Sequence, residues 1–330
     1  MGTALPGRRS ARDSRHPWPS ADPEVESQKL LESTLSKSLK TLFKQIRRSQ
    51  PFNRVSTTAL KQFFEATNWR PEFAVKHLPR VGLTNITLPD GVVMKMDSSG
   101  EDWIPTQLFW RGWLGYEPEV TSVFYDLAKK ADVIFDVGAH IGYFSILAAR
   151  ANAECRVYAF EPLKRVYERL ERNVVANEID NVQCFHTAVG DREGMQEFYF
   201  PDEQAPVSSS LRQDMLLATL GEDVVRNVTV PVVTLDSVAT RLNLDSVDLI
   251  KLDTERTEHD VLAGCSEILK RYRPDIICEV WPDADNAQQL EDLLRPHDYS
   301  FYQLLREGPA RRSRIQPSVD ALNYLFTTKS

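Results

Sequence analysis

DVGAHIGY, residues 136–143, puts two glycines where a short apolar strand gives way to a helix. Residues 132–136 read as the strand and residues 142–151 as the helix. Glycine at such a corner lets the main chain pass close to a ligand, while the free N–H groups of the new helix face it. A dinucleotide fingerprint, GxGxxG, would place its second glycine where a pyrophosphate must approach. Here the glycines are Gly138 and Gly142, and His140 stands between them. A side chain of that size argues against a diphosphate and is compatible with a nucleoside that lacks one.

Working outward, the same alternation of strand and helix repeats. Strands are expected at 156–160, 182–188, 247–253 and 275–281, with helices at 163–177 and 258–271. Strands alternating with helical runs imply parallel pairing through right-handed crossovers, and so a three-layer α/β sandwich. Residues 195–200 and 228–233 read as an inserted β-pair around a polar loop. Residues 299–305 and 323–328 have no full helix between them and are expected as an antiparallel hairpin at the sheet edge. Before this core, 84–88 and 92–96 flank Pro89-Asp90-Gly91, a hairpin signal.

Two further corners lie in register with the first. Glu161, in the FEP triplet at 160–162, falls just past the second strand, 23 positions after Gly138. A carboxylate there can accept hydrogen bonds from both hydroxyls of a ribose. Asp191, in AVGD at 188–191, falls past the third strand; it is either a turn cap or an acceptor for an adenine amino group. Three such corners on one edge of an α/β sheet mark a ligand site. Asp136, Gly138, His140, Gly142, Glu161 and Asp191 are the candidates for holding a nucleotide-like ligand, and His140 is tolerable there if the ligand has no phosphate, as with S-adenosylmethionine.

DVGAHIGYFSILAA, FEPLKRVYERLERN, TAVGD, VTLDSV, IKLDTERTEHDVLAG and RPDIICEV, preceded by GYEPE at 115–119, resemble in order the FkbM-type methyltransferases, a branch of the class I S-adenosylmethionine-dependent enzymes. The resemblance runs over about 112–280. It implies a Rossmann-like, mostly parallel seven-stranded sheet ending in an antiparallel hairpin. It also implies that Gly138, His140, Gly142, Glu161 and Asp191 contact the cofactor and that Glu117 holds its methionine end. A serine-containing segment occupies the place of Ser208, Ser209 and Ser210 in the resembling family, so Ser209 and Ser210 are acceptor-pocket candidates beside the plainer reading of a surface loop. One position departs from the family pattern: Arg256 stands where the family carries glycine. If that position is left-handed, arginine costs roughly 1 kcal/mol and projects near the acceptor site.

Methyl transfer needs an acceptor held about 3 Å from the methyl group and, for a hydroxyl, removal of its proton. Asp253 and Glu255, at the end of the fourth strand, are the candidates for base or acceptor-orienting group. Their plainer reading is helix N-terminal charge, since Glu255 and Glu258 lie near a helix start. His259, His186 and His297 read as surface or structural residues. The expected activity is O-methylation of a small molecule, sugar or natural product. The rivals are a catalytically silent cofactor-binding or scaffolding relative and an NAD-dependent oxidoreductase, which His140 disfavours.

Composition bounds the rest. The 330 residues are 42% hydrophobic and 26% charged, enough for a large core. A net charge of −7 disfavours whole-domain nucleic-acid binding. Cys155, Cys184, Cys265 and Cys278 are scattered, with no CxxC pair, so no metal site or disulfide framework is expected and a cytoplasmic setting is. No stretch reads as membrane-spanning and no leader is evident. The expected organisation is a disordered basic tail at 1–24, a helical extension at 25–80 and a methyltransferase domain at 81–330, with a β-hairpin lead-in at 81–115 and the core at 116–330. Residues 26–49 read as a basic amphipathic helix, suited to packing on the protein itself, to an anionic membrane surface, or to a partner or second copy of the chain.

Overall fold

The computed structural model describes residues 49–67, 72, 78–100, 102–201, 225–282 and 284–329. The tail, nearly all of the expected basic helix at 26–49, and Ser208, Ser209 and Ser210 lie outside these residues. The chain divides into Met1–Phe52, described only at 49–52, and the compact unit Asn53–Ser330, to which the following applies.

Helix α1 (Gln50–Thr67) is tied to the chain before the first strand by polar bonds. The Asn53 amide donates to Pro79 O (2.8 Å) and its oxygen accepts from Val81 N (2.8 Å), while Arg80 donates to Thr57 Oγ1 (2.7 Å). Strands β1 (Thr84–Thr87) and β2 (Val93–Met96) form the expected antiparallel hairpin. Helix α2 (Trp103–Arg111) then follows inside the stretch expected as a β lead-in, and α3 (Pro118–Ala128) comes at the start of the expected core, where no element was predicted. Proline at position 105 and the aromatic run WIPTQLFW conceal the helical period of α2; its first turn has no N–H for proline to forfeit.

The core then reads β3 (Val133–Val137), α4 (Tyr143–Ala151), β4 (Arg156–Phe160), α5 (Lys164–Ala176), β5 (Val182–Phe185), β6 (Ala188–Val189), β7 (Gly194–Pro201), β8 (Val225–Val233), α6 (Leu235–Arg241), β9 (Leu249–Leu252), α7 (Glu258–Ala263), α8 (Ser266–Arg271), β10 (Asp275–Glu279), α9 (Ala284–Leu294), a 3-10 turn (Arg295–His297), β11 (Ser300–Leu305), β12 (Gly308–Arg312) and β13 (Asn323–Thr327). The main sheet has the order β12-β11-β13-β10-β9-β3-β4-β5. Strands β10, β9, β3, β4 and β5 are parallel, and β13 runs antiparallel between β10 and β11. The sheet therefore has eight strands where seven were expected. The extra one, β12, pairs antiparallel with β11 at the edge, and its exposed Arg311 and Arg312 suit an edge strand. The expected third strand divides into β5 in the main sheet and β6, which joins β8 and β7 in a second, three-stranded sheet. The expected helix 258–271 breaks into α7 and α8 at Gly264-Cys265.

Side chains alternate across the parallel strands, and both faces are buried, which is why these strands read as continuous apolar runs. Ile134, Val157, Leu249 and Ile277 pack with α3, α4 and α5 on one face. Phe135, Tyr158, Phe160, Ile250, Ile276 and Cys278 pack with α6, α7, α8 and α9 on the other. Two charged residues interrupt the first set: Asp136 (2% exposed) and Lys251 (0% exposed) are direct register partners on β3 and β9.

Candidate active site

The C-terminal ends of β3, β4, β9 and β10 open into a cavity of about 170 Å³. Its walls come from the β3–α4 corner, the ends of the neighbouring strands, Ile104 of α2, Tyr116 and Glu117 before α3, and Phe198 of β7.

The β3–α4 corner is held from beneath. Gly138 N and Ala139 N both donate to Phe160 O, at 3.1 and 3.0 Å. Gly138 has φ +81°, and a Cβ there would stand 1.9 Å from the carbonyl oxygen of Asp253. Glycine is thus required both by conformation and by the press of the corner against the loop after β9. Gly142, with φ +90°, caps α4; its added Cβ would meet Leu170 Cδ1 at 2.5 Å. His140 adopts φ +51° without the freedom of glycine, and its main-chain N–H points at a carboxylate.

That carboxylate is Glu161, 7% exposed at the end of β4. Oε2 accepts from His140 N (3.1 Å) and Oε1 from Leu163 N (2.8 Å). Burial pushes its carboxyl up to about 7, in spite of both N–H donors. Asp136 sits one layer deeper, accepting from Ser145 Oγ and pushed by burial to about 6. Asp136 and Gly142 support the wall from behind and do not line it, whereas Gly138, His140 and Glu161 do.

On the opposite side, the sheet alternation sets a second row. Lys251 pairs in register with Ile277, so two residues further on Asp253 stands opposite Glu279. Lys251 Nζ donates to Asp253 Oδ2 at 3.1 Å and lies 5.0 Å from the centre of the Phe144 ring. The surrounding carboxylates hold the lysine above its usual range, outweighing burial. Glu117, in a left-handed conformation (φ +38°) at the start of α3, reaches the same region. Its buried Oε2 has no hydrogen-bond partner, and burial raises the group to about 7, with Lys251 opposing. Glu279 accepts from Trp281 Nε1 (3.0 Å) and is raised to about 10 by burial and by Asp253 and Glu255. Glu255 lines the cavity and is raised to about 8 by burial and then by Asp253.

The structure separates the acidic residues of this loop. Glu258 is fully buried at the start of α7, and its Oε1 accepts from Thr254 N (3.1 Å), Thr254 Oγ1 (3.0 Å) and Arg256 N (3.1 Å). It shapes the turn, while Asp253 and Glu255 face the cavity. Arg256 does have a left-handed backbone, φ +76°, as expected for a position that favours glycine. Its side chain does not enter the cavity: the guanidinium lies over Trp281, 5.0 Å from the ring centre.

Asp191 is not brought to the site. Its side chain is 41% exposed and absent from the lining, because the chain leaves the main sheet after β5 and joins the second sheet at β6; Thr187, Ala188 and Val189 form the wall there instead. His259 pairs with Asp260, and His186 lies against Tyr167. Among the described residues no group of three or more His, Cys, Asp or Glu side chains is placed to hold a metal, and no helix is long and apolar enough to cross a membrane.

Sequence reasoning missed Lys251 and Glu279. The signal for Lys251 was a charge inside the apolar run Leu249-Ile250-Lys251-Leu252; that for Glu279 was its position at the end of the next parallel strand.

A sequence profile described as "Methyltransferase FkbM domain" matches residues 136–301. The chain is 31% identical over 202 residues to the AMB antimetabolite synthetase AmbE of Pseudomonas aeruginosa, a match covering 51% of this chain and 9% of that protein. It is 30% identical over 199 residues to the 31-O-demethyl-FK506 methyltransferase FkbM of Streptomyces tacrolimicus, covering 52% of this chain and 74% of that one. The crystal structure of methyltransferase FkbM from Methylobacillus flagellatus KT aligns with TM-score 0.40 and 14% identity, over 60% of this chain and 43% of that chain. The chain thus spans under a tenth of AmbE and about three quarters of the Streptomyces protein.

Proposed function

The chain belongs to the FkbM family of S-adenosylmethionine-dependent methyltransferases, and from that premise we propose that its cavity transfers the methyl group to a hydroxyl oxygen of a small organic acceptor. The observation that carries this reading is the row of carboxyl groups at the strand ends facing one cavity: Glu161 at β4, Asp253 after β9 and Glu279 at β10, with Glu117 across from them.

The residues fit the cofactor. Glu161, buried and facing the Gly138–His140 corner, has the chemistry to accept from both ribose hydroxyls. Glu117 has a buried oxygen without a partner, suited to the ammonium of the methionine end. Thr187, Ala188 and Val189 offer a wall for the base in place of Asp191. Bound there, S-adenosylmethionine supplies an electrophilic methyl group on a sulfonium.

The protein's own part is to bind, orient and take a proton. Asp253 is our candidate base: its Oδ2 is held by Lys251, and its side chain remains 27% exposed toward the cavity. With the donor bound, Asp253 would accept the proton of an acceptor hydroxyl held near the donor's methyl group, leaving the oxygen free to take that group. Glu255, raised to about 8, is largely protonated at neutral pH and serves as a hydrogen-bond donor that orients the acceptor. Ser209 and Ser210 stay acceptor-contact candidates on sequence grounds.

The hydroxyl preference draws support from the name of the Streptomyces relative. The silent-relative reading rested on Arg256 near the acceptor site and on the basic helix at 26–49; the stacking of Arg256 on Trp281 speaks against the first of these. A cytoplasmic setting and a partner or second copy at residues 26–49 belong to the same proposal. The test is to incubate the protein with S-adenosylmethionine and a panel of hydroxylated small molecules and to look for mono-methylated products by mass spectrometry. Asp253→Asn is expected to slow formation of any such product by about 10²–10⁴-fold while leaving S-adenosylhomocysteine binding within a few-fold; a fully active variant contradicts the assignment of the base.

A further inference from the structure

A buried lysine in the middle of a core strand needs a reason, since taking an ammonium out of water costs several kcal/mol unless partners compensate. Lys251 is 0% exposed and stands on β9 directly beside Asp136 of β3. Its hydrogen-bonded partner is Asp253, two residues further along the same face. The groups that face it come from several neighbouring elements: Asp136 from β3, Asp253 from the loop after β9, Glu279 from β10, Glu117 from the start of α3, and the Phe144 ring from α4. A structural ion pair would need one carboxylate. Here a single ammonium is set against several carboxyl groups, three of which, Glu117, Asp253 and Glu279, line the cavity.

Resting on the methyl-donor reading of this cavity, we infer that Lys251 balances the charge at its donor end and so sets how strongly the cationic donor is preferred over the neutral product. The physical argument concerns the ground state. Methyl transfer removes a positive charge from sulfur. A cavity with uncompensated carboxylates holds the sulfonium more tightly before the reaction than during it, and binding energy realised in the ground state does not accelerate the chemical step. It also leaves donor and product far apart in affinity. Lys251 takes up part of that negative charge without lining the cavity, because its side chain is buried in the sheet and its ammonium meets Asp253 from beneath. Its bond to Asp253 Oδ2 at the same time fixes the orientation of the proposed base, which makes it a positioning residue for the reaction.

The test uses S-adenosylmethionine and S-adenosylhomocysteine as paired probes, which differ by a methyl group and one charge. Calorimetric titration of each into wild-type protein, Lys251→Met and Lys251→Arg gives the ratio of the two dissociation constants. Because everything else in the ligands is shared, damage to folding alters both constants and leaves the ratio. At pH 8.5, Lys251→Met is expected to raise the preference for the cationic donor by about tenfold, and Lys251→Arg to leave it near wild type. The increase should shrink toward pH 6, where the unbalanced carboxyl groups take up protons in place of the lost cation. A merely structural lysine would not produce that pH signature. Should Lys251→Met not fold, Asp253→Asn, which leaves the lysine's charge unbalanced, must move the ratio the opposite way. An unchanged ratio in a Lys251→Met or Asp253→Asn protein that binds both probes overturns the inference and leaves the methyl-donor site standing. Failure of the wild type to bind either probe overturns the site itself.

Discussion

Replacing Glu161 by glutamine removes one charge from the cavity and keeps its shape, so the consequences can be worked through. In the fold, each carboxylate oxygen holds one main-chain N–H, from His140 and Leu163. Glutamine retains one of these acceptors and turns its amide group toward the other donor, leaving that N–H unsatisfied at a cost of about 1–3 kcal/mol. Against this, ionising a carboxyl raised from 4.5 to about 7 burdens the folded state by on the order of 3 kcal/mol at pH 8. The two nearly offset, and the variant's thermal midpoint at pH 8 is expected within a few degrees of wild type. Ligand affinity has no such offset. Two charge-assisted hydrogen bonds to a ribose are lost, and S-adenosylhomocysteine should bind about 10²-fold or more weakly. The wild type binds through ionised Glu161 and Glu117, both raised to about 7, so its affinity should be level above pH 8 and fall by up to about a hundredfold per pH unit well below 7. In Glu161→Gln this decline should be shallower, with Glu117 the remaining contributor. Calorimetry across pH 5.5–8.5 measures both. A folded variant that binds within about threefold of wild type at pH 8 refutes the role given to Glu161.

Other expectations follow from the same geometry. Gly138→Ala puts a Cβ against the Asp253 carbonyl at φ +81° and should lower the thermal midpoint and abolish S-adenosylhomocysteine binding; near-normal binding would show that the corner has room to move. Arg256→Gly relieves a left-handed arginine and loses its contact with Trp281, two effects of roughly 1 kcal/mol each, so stability by denaturant titration should change little and cofactor binding should persist. Glu117, Glu161 and Glu255 all sit above their unfolded values. The ligand-free protein should therefore be most stable at mildly acidic pH and lose stability between about pH 5 and 8, a trend that saturating S-adenosylhomocysteine reduces; stability rising over that window would contradict the burial of these groups.

The parallel core was legible because strands buried on both faces leave continuous apolar runs, and the corners at Gly138 and Glu161 were legible because each falls where such a run ends. Elements without that signature were not. β12, GPARR, is an edge strand held by main-chain pairing to β11 and carries no apolar period. Helix α2 hides behind its proline and aromatics, and the break between α7 and α8 depends on packing that no local period encodes. At the site, Asp191 had the right residue type after a strand, yet its direction was set by the second sheet, which departs from the main one after Phe185. Lys251 showed the converse: its importance comes from register partners on β3 and β10, far away in sequence. Arg256 was placed correctly in backbone conformation but not in direction, since Trp281 offers a cation–π partner that lies 25 residues further along the chain.

The most direct test of the central claim is a calorimetric titration of the purified wild-type protein with S-adenosylhomocysteine, with NAD titrated in parallel. Saturable binding of S-adenosylhomocysteine at one site per chain, with NAD silent, is the predicted result. Binding of NAD alone, or of neither compound to a folded protein, would contradict it.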